Sequence, residues 1–240
     1  MANHSHINSD YSLPYREGGG WVSGGRASGG RVFSILSLSN ASLAFGDRQL
    51  FSNLDLTVES GQLVGITGES GCGKTSLLRA VLGFVPLTAG TIEVCGLPLD
   101  AHHIHAIRQQ TAYVPQELQP PASTGLDLVK LTHELTANLP HAKREACEAL
   151  MSSLGLDLSL LELSAAKLSG GQRQRLLLSA ALSMPKPLML LDEPTSALDE
   201  DSTQRVGLAL LRACHEEHRA ALVVSHDPVL LAFCDRVIQL

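Results

Sequence analysis

The stretch Gly68-Glu69-Ser70-Gly71-Cys72-Gly73-Lys74-Thr75 constrains this chain more than any other. Its spacing, G-x-x-x-x-G-K-[ST], is that of a loop that wraps phosphate. The glycines let successive backbone N–H groups curl around phosphate oxygens with no Cβ in the way. In such a loop the lysine, here Lys74, reaches the β- and γ-phosphates, and the hydroxyl of Thr75 is placed for Mg²⁺. Context decides whether the pattern is meaningful. Leu63 to Thr67 is a short apolar run that reads as a buried strand. Ser76 to Leu82 carries leucines at helical spacing. Strand, glycine loop and helix together predict an α/β fold with an anion site at a helix N-terminus.

A chain of 240 residues is long enough for one large domain, or one domain with a small insert. The net charge of −6 argues against a general nucleic-acid binder. The cysteines at 72, 95, 147, 214 and 234 form no CxxC pair and are odd in number, which suits a reducing compartment and disfavours a disulfide or zinc scaffold. There is no apolar run of about 18 residues to span a membrane, and the start lacks the layout of a secretory signal. The expected location is the cytoplasm, with any membrane attachment supplied by a partner.

Residues 1–33 are rich in Gly, Ser and Asn and read as a disordered tail in which Trp21, the only tryptophan, anchors nothing. From Ile35, short strand-like runs, a Gly46-Asp47 turn and the alternating Leu54–Val58 predict two or three antiparallel strands ahead of the glycine loop. Thr91–Val94 and Ala112–Val114 read as further strands. His102, His103 and His105 between them have no carboxylate or cysteine to complete a metal site and read as surface. From 117 to about 167, leucines and alanines recur at three- and four-residue intervals, punctuated by Gly125, Pro140 and Gly155. This is a small inserted helical subdomain, with Lys130, His133, His141, Lys143 and Arg144 on its polar faces. Ser169 then N-caps a helix running through Leu182, and Gly170 and Gly171 expose backbone N–H groups beside it. Such a start is a second place for phosphate. Leu188–Leu191 is a buried strand ending in Asp192-Glu193. Ala221–Ser225 is another, with His226 at its tip, and Val237–Leu240 is a last one.

The carboxylates sit where ligands bind in open α/β sheets, at the C-terminal ends of strands. Asp192 suits Mg²⁺, and Glu193 suits a general base that orients water in line with a γ-phosphate. His226 is either a donor to that phosphate or a satisfied core histidine. The Gln116 amide can touch Mg²⁺ or the water. Phe45, just before a turn, either stacks on adenine or fills the core.

With these residues in place, the sequence resembles the ATP-binding subunits of ABC transporters over residues 35–240. The loop at 68–75 matches the Walker A motif, Gln116 the Q-loop and Leu168–Gln172 the LSGGQ signature. Leu188–Glu193 match Walker B, Ser196–Asp199 the D-loop and His226 the switch histidine. The resemblance implies a P-loop NTPase of the ABC type: an antiparallel β subdomain, a RecA-like mixed-sheet core and an inserted α-helical subdomain at approximately 117–180, all within 34–240. It implies that ATP is held by Phe45, by Gly68, Glu69, Ser70, Gly71, Cys72, Gly73, Lys74, Thr75 and Ser76, and by Asp192. Ser169, Gly170, Gly171, Gln172 and Asp199 would act from a second copy paired head to tail. Glu193, His226, Gln116 and Lys74 would be catalytic, and Thr75, Gln116 and Asp192 would hold Mg²⁺. It also implies an integral membrane permease as partner, at the cytoplasmic face of the inner membrane, and no nucleic acid.

The sequence departs from the family at Ala180, usually arginine, and at Glu117–Ser123, which predicts an unusual contact with the membrane partner. Thr195–Glu200, His226-Asp227 and the end at Leu240 resemble the cassette of a bacterial iron- or metal-efflux system. The alternative is a soluble ABC ATPase in iron–sulfur cluster assembly or another non-transport role. The transported substrate is not encoded in this chain.

Overall fold

The computed structural model describes residues 33–116, 122–133 and 144–240, together with the backbone of two short strands near the N-terminus. Those strands, β1 (Tyr15–Arg16) and β2 (Gly20–Trp21), pair antiparallel. They stand in a stretch expected to lack structure; the rest of that tail, and the Trp21 side chain, lie outside the described residues.

The main unit has two sheets. The first is antiparallel, in the order β4-β3-β6-β7, from β3 (Ser34–Phe45), β4 (Arg48–Glu59), β6 (Ala89–Val94) and β7 (Leu97–Pro98). Gly46, at φ 57°, and Asp47 form the turn between β3 and β4. The second, in the order β11-β5-β10-β9-β8, comprises β5 (Leu63–Thr67), β8 (Thr111–Val114), β9 (Leu188–Asp192), β10 (Ala220–Val224) and β11 (Arg236–Gln239). The antiparallel sheet is the expected β subdomain and the second sheet the core, whose five strands pair parallel throughout.

Strands buried on both faces read as continuous apolar runs, and the alternation along them shows where each face goes. Leu188 and Leu190 of β9, with Leu222 and Val224 of β10, enter a core shared with the antiparallel sheet, α1 (Lys74–Val81) and Ile107 of α2 (Ile104–Gln109). Met189 and Leu191, with Ala221 and Val223, enter a second core under α5 (Gly170–Leu182) and α6 (Glu200–His215). A third core holds the helical insert, where α3 (Gly125–His133) and α4 (Arg144–Ser153) pack on α5. Helix α5 belongs to two cores at once. Leu176, Leu177 and Ala180 face the insert, and Leu178, Ala181 and Leu182 face the sheet. Ala180, the family's usual arginine position, is fully buried.

One surface expectation is corrected. His133 is buried, with Nε2 3.0 Å from the Ala180 carbonyl and 3.2 Å from Ser183 Oγ. It shares the inward face of α3 with Gly125, Leu128 and Val129, following the helical period rather than its polarity. Lys130 and Arg144 are exposed; His141 and Lys143 lie outside the described residues. Among the described residues, no group of three or more His, Cys, Asp or Glu side chains is placed to hold a metal, so His102, His103 and His105 form no such site. His103 instead pairs with Asp100 at 2.8 Å.

Two buried cations fasten the edge of the parallel sheet away from the glycine loop. Lys186 Nζ donates to the carbonyls of Arg108 and Thr111 at 3.2 and 3.1 Å. Arg219 Nε and Nη1 donate to the carbonyls of Lys186 and Leu182 at 2.8 and 2.9 Å. Burial, reinforced by the neighbouring Arg219 charge, lowers the Lys186 pKa to about 8. The unfolded chain then holds more protons between about pH 8 and the ordinary value of 10.5, so this lysine adds stability as pH rises through that window. Below it, the folded state bears the full cost, on the order of 3 kcal/mol. The thiols of half-buried Cys95 and buried Cys214, raised to about 12 by desolvation, work in the opposite sense because they ionise more readily when unfolded. A comparison with Lys186→Met isolates the lysine. Urea unfolding across this pH range should show wild type gaining stability relative to Lys186→Met as pH rises.

Candidate functional site

Four parallel strands deliver their C-terminal ends to one edge. Strand β5 leads into the glycine loop, β8 into Gln116, β9 into Glu193 and β10 into His226. Between them lies a cavity of about 370 Å³, within the usual range for small-molecule sites. Phe45, Ser70, Gly71, Gly73, Lys74, Thr75, Ser76, Gln116, Asp192, Glu193 and His226 line it, with Leu50 and Val224.

The loop owes its shape to backbone angles that side chains disfavour. Gly68, Gly71 and Gly73 have φ of 152°, 79° and 111°. A Cβ at Gly68 would stand 2.7 Å from the Leu240 carbonyl oxygen and 2.9 Å from Cys72 Sγ. Within the loop, Lys74 Nζ donates to the Gly68 and Glu69 carbonyls, both at 2.8 Å, and lies 4.0 Å from Cys72 Sγ. The ammonium is buried yet sits at the cavity wall, a fixed positive charge for an anion. Arg48 Nη2 bonds the Gly71 carbonyl at 2.9 Å and braces the loop from β4.

Thr75 Oγ1 donates to Asp192 Oδ1 at 3.1 Å, joining the start of α1 to the end of β9. Asp192 is buried, and burial raises its pKa; the Thr75 hydrogen bond and the charges of Arg79 and Lys74 pull the other way. A desolvated carboxylate beside a hydroxyl and the Gln116 amide is a set of hard oxygen donors that fits Mg²⁺. Tyr113, on the neighbouring strand, has a raised pKa from burial and from Asp192, and Arg79 hydrogen-bonds it.

Glu193 has φ 47°, a left-handed conformation uncommon for a side-chain-bearing residue. Its N–H donates to the Val224 carbonyl at 2.9 Å. Its carboxylate meets His226, with Oε2 accepting from the backbone N–H at 3.4 Å and Oε1 lying 3.6 Å from Nε2. The His226 side chain is 52% exposed, which excludes a core histidine. Phe45 is also 52% exposed, so its ring is not core filling. Asp227 locks the loop behind His226: its carboxylate accepts from Thr195 Oγ1 at 2.9 Å and Thr203 Oγ1 at 3.2 Å.

The second phosphate-binding start does not join this cavity. Ser169 N-caps α5 in a capping box: its Oγ accepts from Gln172 N at 3.1 Å, and Gln172 Oε1 accepts from Ser169 N at 2.9 Å. Ser169 and Gly170 are exposed. Ser169, Gly170, Gly171, Gln172 and Asp199 are all absent from the cavity wall. Asp199 N-caps α6 and accepts from Ser202 N at 2.8 Å, which lowers its pKa. Of the segment expected to contact a membrane partner, residues 117–121 lie outside those described.

A sequence profile described as "ABC transporter" matches residues 51–196. The chain belongs to the ABC transporter family, and it carries the ATP-hydrolysing cassette of that family. It is 32% identical over 229 residues to the "ATP-dependent lipid A-core flippase" of Burkholderia thailandensis, covering 90% of this chain but only 36% of the flippase. It therefore spans about a third of that relative's length. It is 31% identical over 206 residues to the "Probable iron export ATP-binding protein FetA" of Escherichia coli, covering 86% of this chain and 91% of that one. In three dimensions it resembles the dimeric bacterial ABC cassette MJ0796, with TM-score 0.74 and 25% identity over 86% of this chain and 94% of that chain. A post-hydrolysis dimer of the same cassette, bound to ADP and Pi, superposes with TM-score 0.73 and 25% identity, at the same coverage. These relatives are transport proteins by name, which leaves the iron–sulfur assembly alternative without support among them. Among the described residues, no helix is long and apolar enough to cross a membrane.

The glycine-loop geometry yields a direct test. Gly68→Ala should weaken ATP binding at least about tenfold, because both the φ and the neighbouring carbonyl oppose a Cβ. A fluorescent nucleotide titration measures this, and circular dichroism should show the fold retained.

Proposed function

We propose that this chain binds Mg²⁺-ATP in the cavity and hydrolyses it to drive transport through separate membrane subunits. The observation that carries the reading is the convergence of Lys74, the Thr75–Asp192 pair and the Glu193–His226 pair at one strand edge. Phe45 offers a ring face to adenine. The glycine-loop N–H groups and Lys74 hold the phosphates. Thr75, Asp192 and Gln116 would hold Mg²⁺, which supplies charge neutralisation on the phosphate oxygens. Glu193 takes a proton from the water that attacks the γ-phosphorus, and ADP leaves as the γ-phosphate oxygen bond breaks. His226 donates to the γ-phosphate and keeps the Glu193 carboxylate in place.

The exposed cap at Ser169 lies outside the cavity, so its N–H groups serve an ATP held by another copy. Two copies arranged head to tail would each complete the other's site in a closed two-fold interface. ATP binding then closes the dimer, and hydrolysis reopens it, which moves the permease. The cassette would work at the cytoplasmic face of the membrane. Among possible substrates we favour export of iron or another metal, supported by the iron-export relative that this chain matches over 91% of its length.

Two variants test the mechanism. Glu193→Gln should retain ATP affinity and lose turnover about 10²-fold or more, since the carboxylate acts on water. Light scattering should find this variant monomeric alone and dimeric with Mg²⁺-ATP. Ser169→Arg should leave nucleotide binding intact while blocking both dimerisation and turnover; normal hydrolysis there would rule out the shared site.

A further inference from the structure

We propose that Gln174 is a positioning residue that ties the Glu193 backbone to the first turn of α5, and so links the catalytic carboxylate to the signature segment of the same chain. The proposal rests on the reading of Glu193 as general base and of Ser169 as the contact to a partner's nucleotide. Gln174 uses both ends of its amide on one loop. Nε2 donates to the Glu193 carbonyl at 3.0 Å, and Oε1 accepts from Ala197 N at 3.2 Å. The clamp spans the loop just after β9, inside which Ser196 N also bonds the Glu193 carbonyl at 3.3 Å.

Glu193 depends on such a clamp because of its left-handed backbone, φ 47°. L residues leave that conformation readily unless their surroundings hold them. One hold is the bond from Glu193 N to the Val224 carbonyl in β10. On the carbonyl side the Gln174 amide, at 3.0 Å, is joined by the longer bond from Ser196 N. The helix start touches the same loop directly. A Cβ on Gly171 would lie 3.0 Å from the Ala197 oxygen and 3.2 Å from Leu198 Cδ2. The first turn of α5 and the loop from Glu193 to Ala197 therefore shift together. A displacement of Ser169 or Gly170 by a partner's phosphates reaches the Glu193 carbonyl through one side chain. Gln174 in this way couples occupancy of the partner's site to the aim of the base in its own.

The test compares two variants of the full chain with wild type and with Glu193→Gln. Gln174→Met keeps length and removes both donor and acceptor. Its kcat should fall about tenfold, as for a misaimed catalytic group, with the KM for ATP within about twofold of wild type and the melting temperature little changed. Gln174→Glu keeps the acceptor for Ala197 N and loses the donor to the Glu193 carbonyl. Its activity relative to wild type should recover as pH falls towards the carboxyl range, about 4 to 5, where the introduced group regains a proton to donate. A wild-type kcat in Gln174→Met overturns the proposal. So does a loss of nucleotide affinity and melting temperature in step with kcat, or a Gln174→Glu profile parallel to wild type. Turnover retained by Glu193→Gln would overturn the base assignment and the Gln174 proposal with it. Turnover lost there but kept in Gln174→Met overturns the Gln174 proposal alone.

Discussion

Everything else in this cassette depends on a parallel sheet that must be covered on both faces. Parallel strands need crossovers, and the crossovers place helices above and below. The strand turns that follow all emerge at one edge. That edge collects the glycine loop, Gln116, Glu193 and His226 from distant parts of the chain. Chemistry is thereby confined to backbone that is already rigid behind it. Even the Lys74 ammonium is held by two carbonyls of its own loop, so its charge is aimed by covalent geometry as much as by packing.

Helix α5 sets the second half of the design. It is buried by the sheet on one side and by the insert on the other, while its capped start stays exposed. A helix held this way presents its exposed tip on a support packed from both sides. The Asp227 bonds to Thr195 and Thr203 brace the same loop from the His226 side. Glu193 is therefore gripped between two structures, α5 through Gln174 on one side and the loop braced by Asp227 on the other.

The features legible in the sequence were those written in a few consecutive residues. The glycine loop, the buried runs at 63–67 and 188–191 and the Ser169 cap each carry a local pattern tied to local geometry. Arg48, Arg79, Tyr113 and Gln174 carry no such mark. Arg48 meets Gly71 only after β3 and β4 fold over the loop, and Gln174 meets Glu193 only once α5 crosses the end of β9. His133 shows the opposite case. Its polarity points to a surface, whereas the period of α3 turns it inward and Ala180 and Ser183 provide bonds that make burial tolerable. The order of strands within the parallel sheet carries no local mark either, since strand partners are set by the whole chain.

Strand order has a consequence for how the chain is made. β10, near the end of the sequence, lies between β5 and β9, which have no other bridge to each other in the sheet. While the protein is synthesised, the glycine-loop strand emerges before β9 and β10, and until β10 follows, the edge that will receive it stays unpaired. Unpaired apolar edges invite association with other chains. The antiparallel sheet and the helical insert can close from neighbouring segments, but the nucleotide site is assembled only after β10, which follows both of its sheet neighbours in the chain. The nascent cassette thus acquires its ability to engage ATP only when β10 inserts, the same step that closes the two facing edges of β5 and β9.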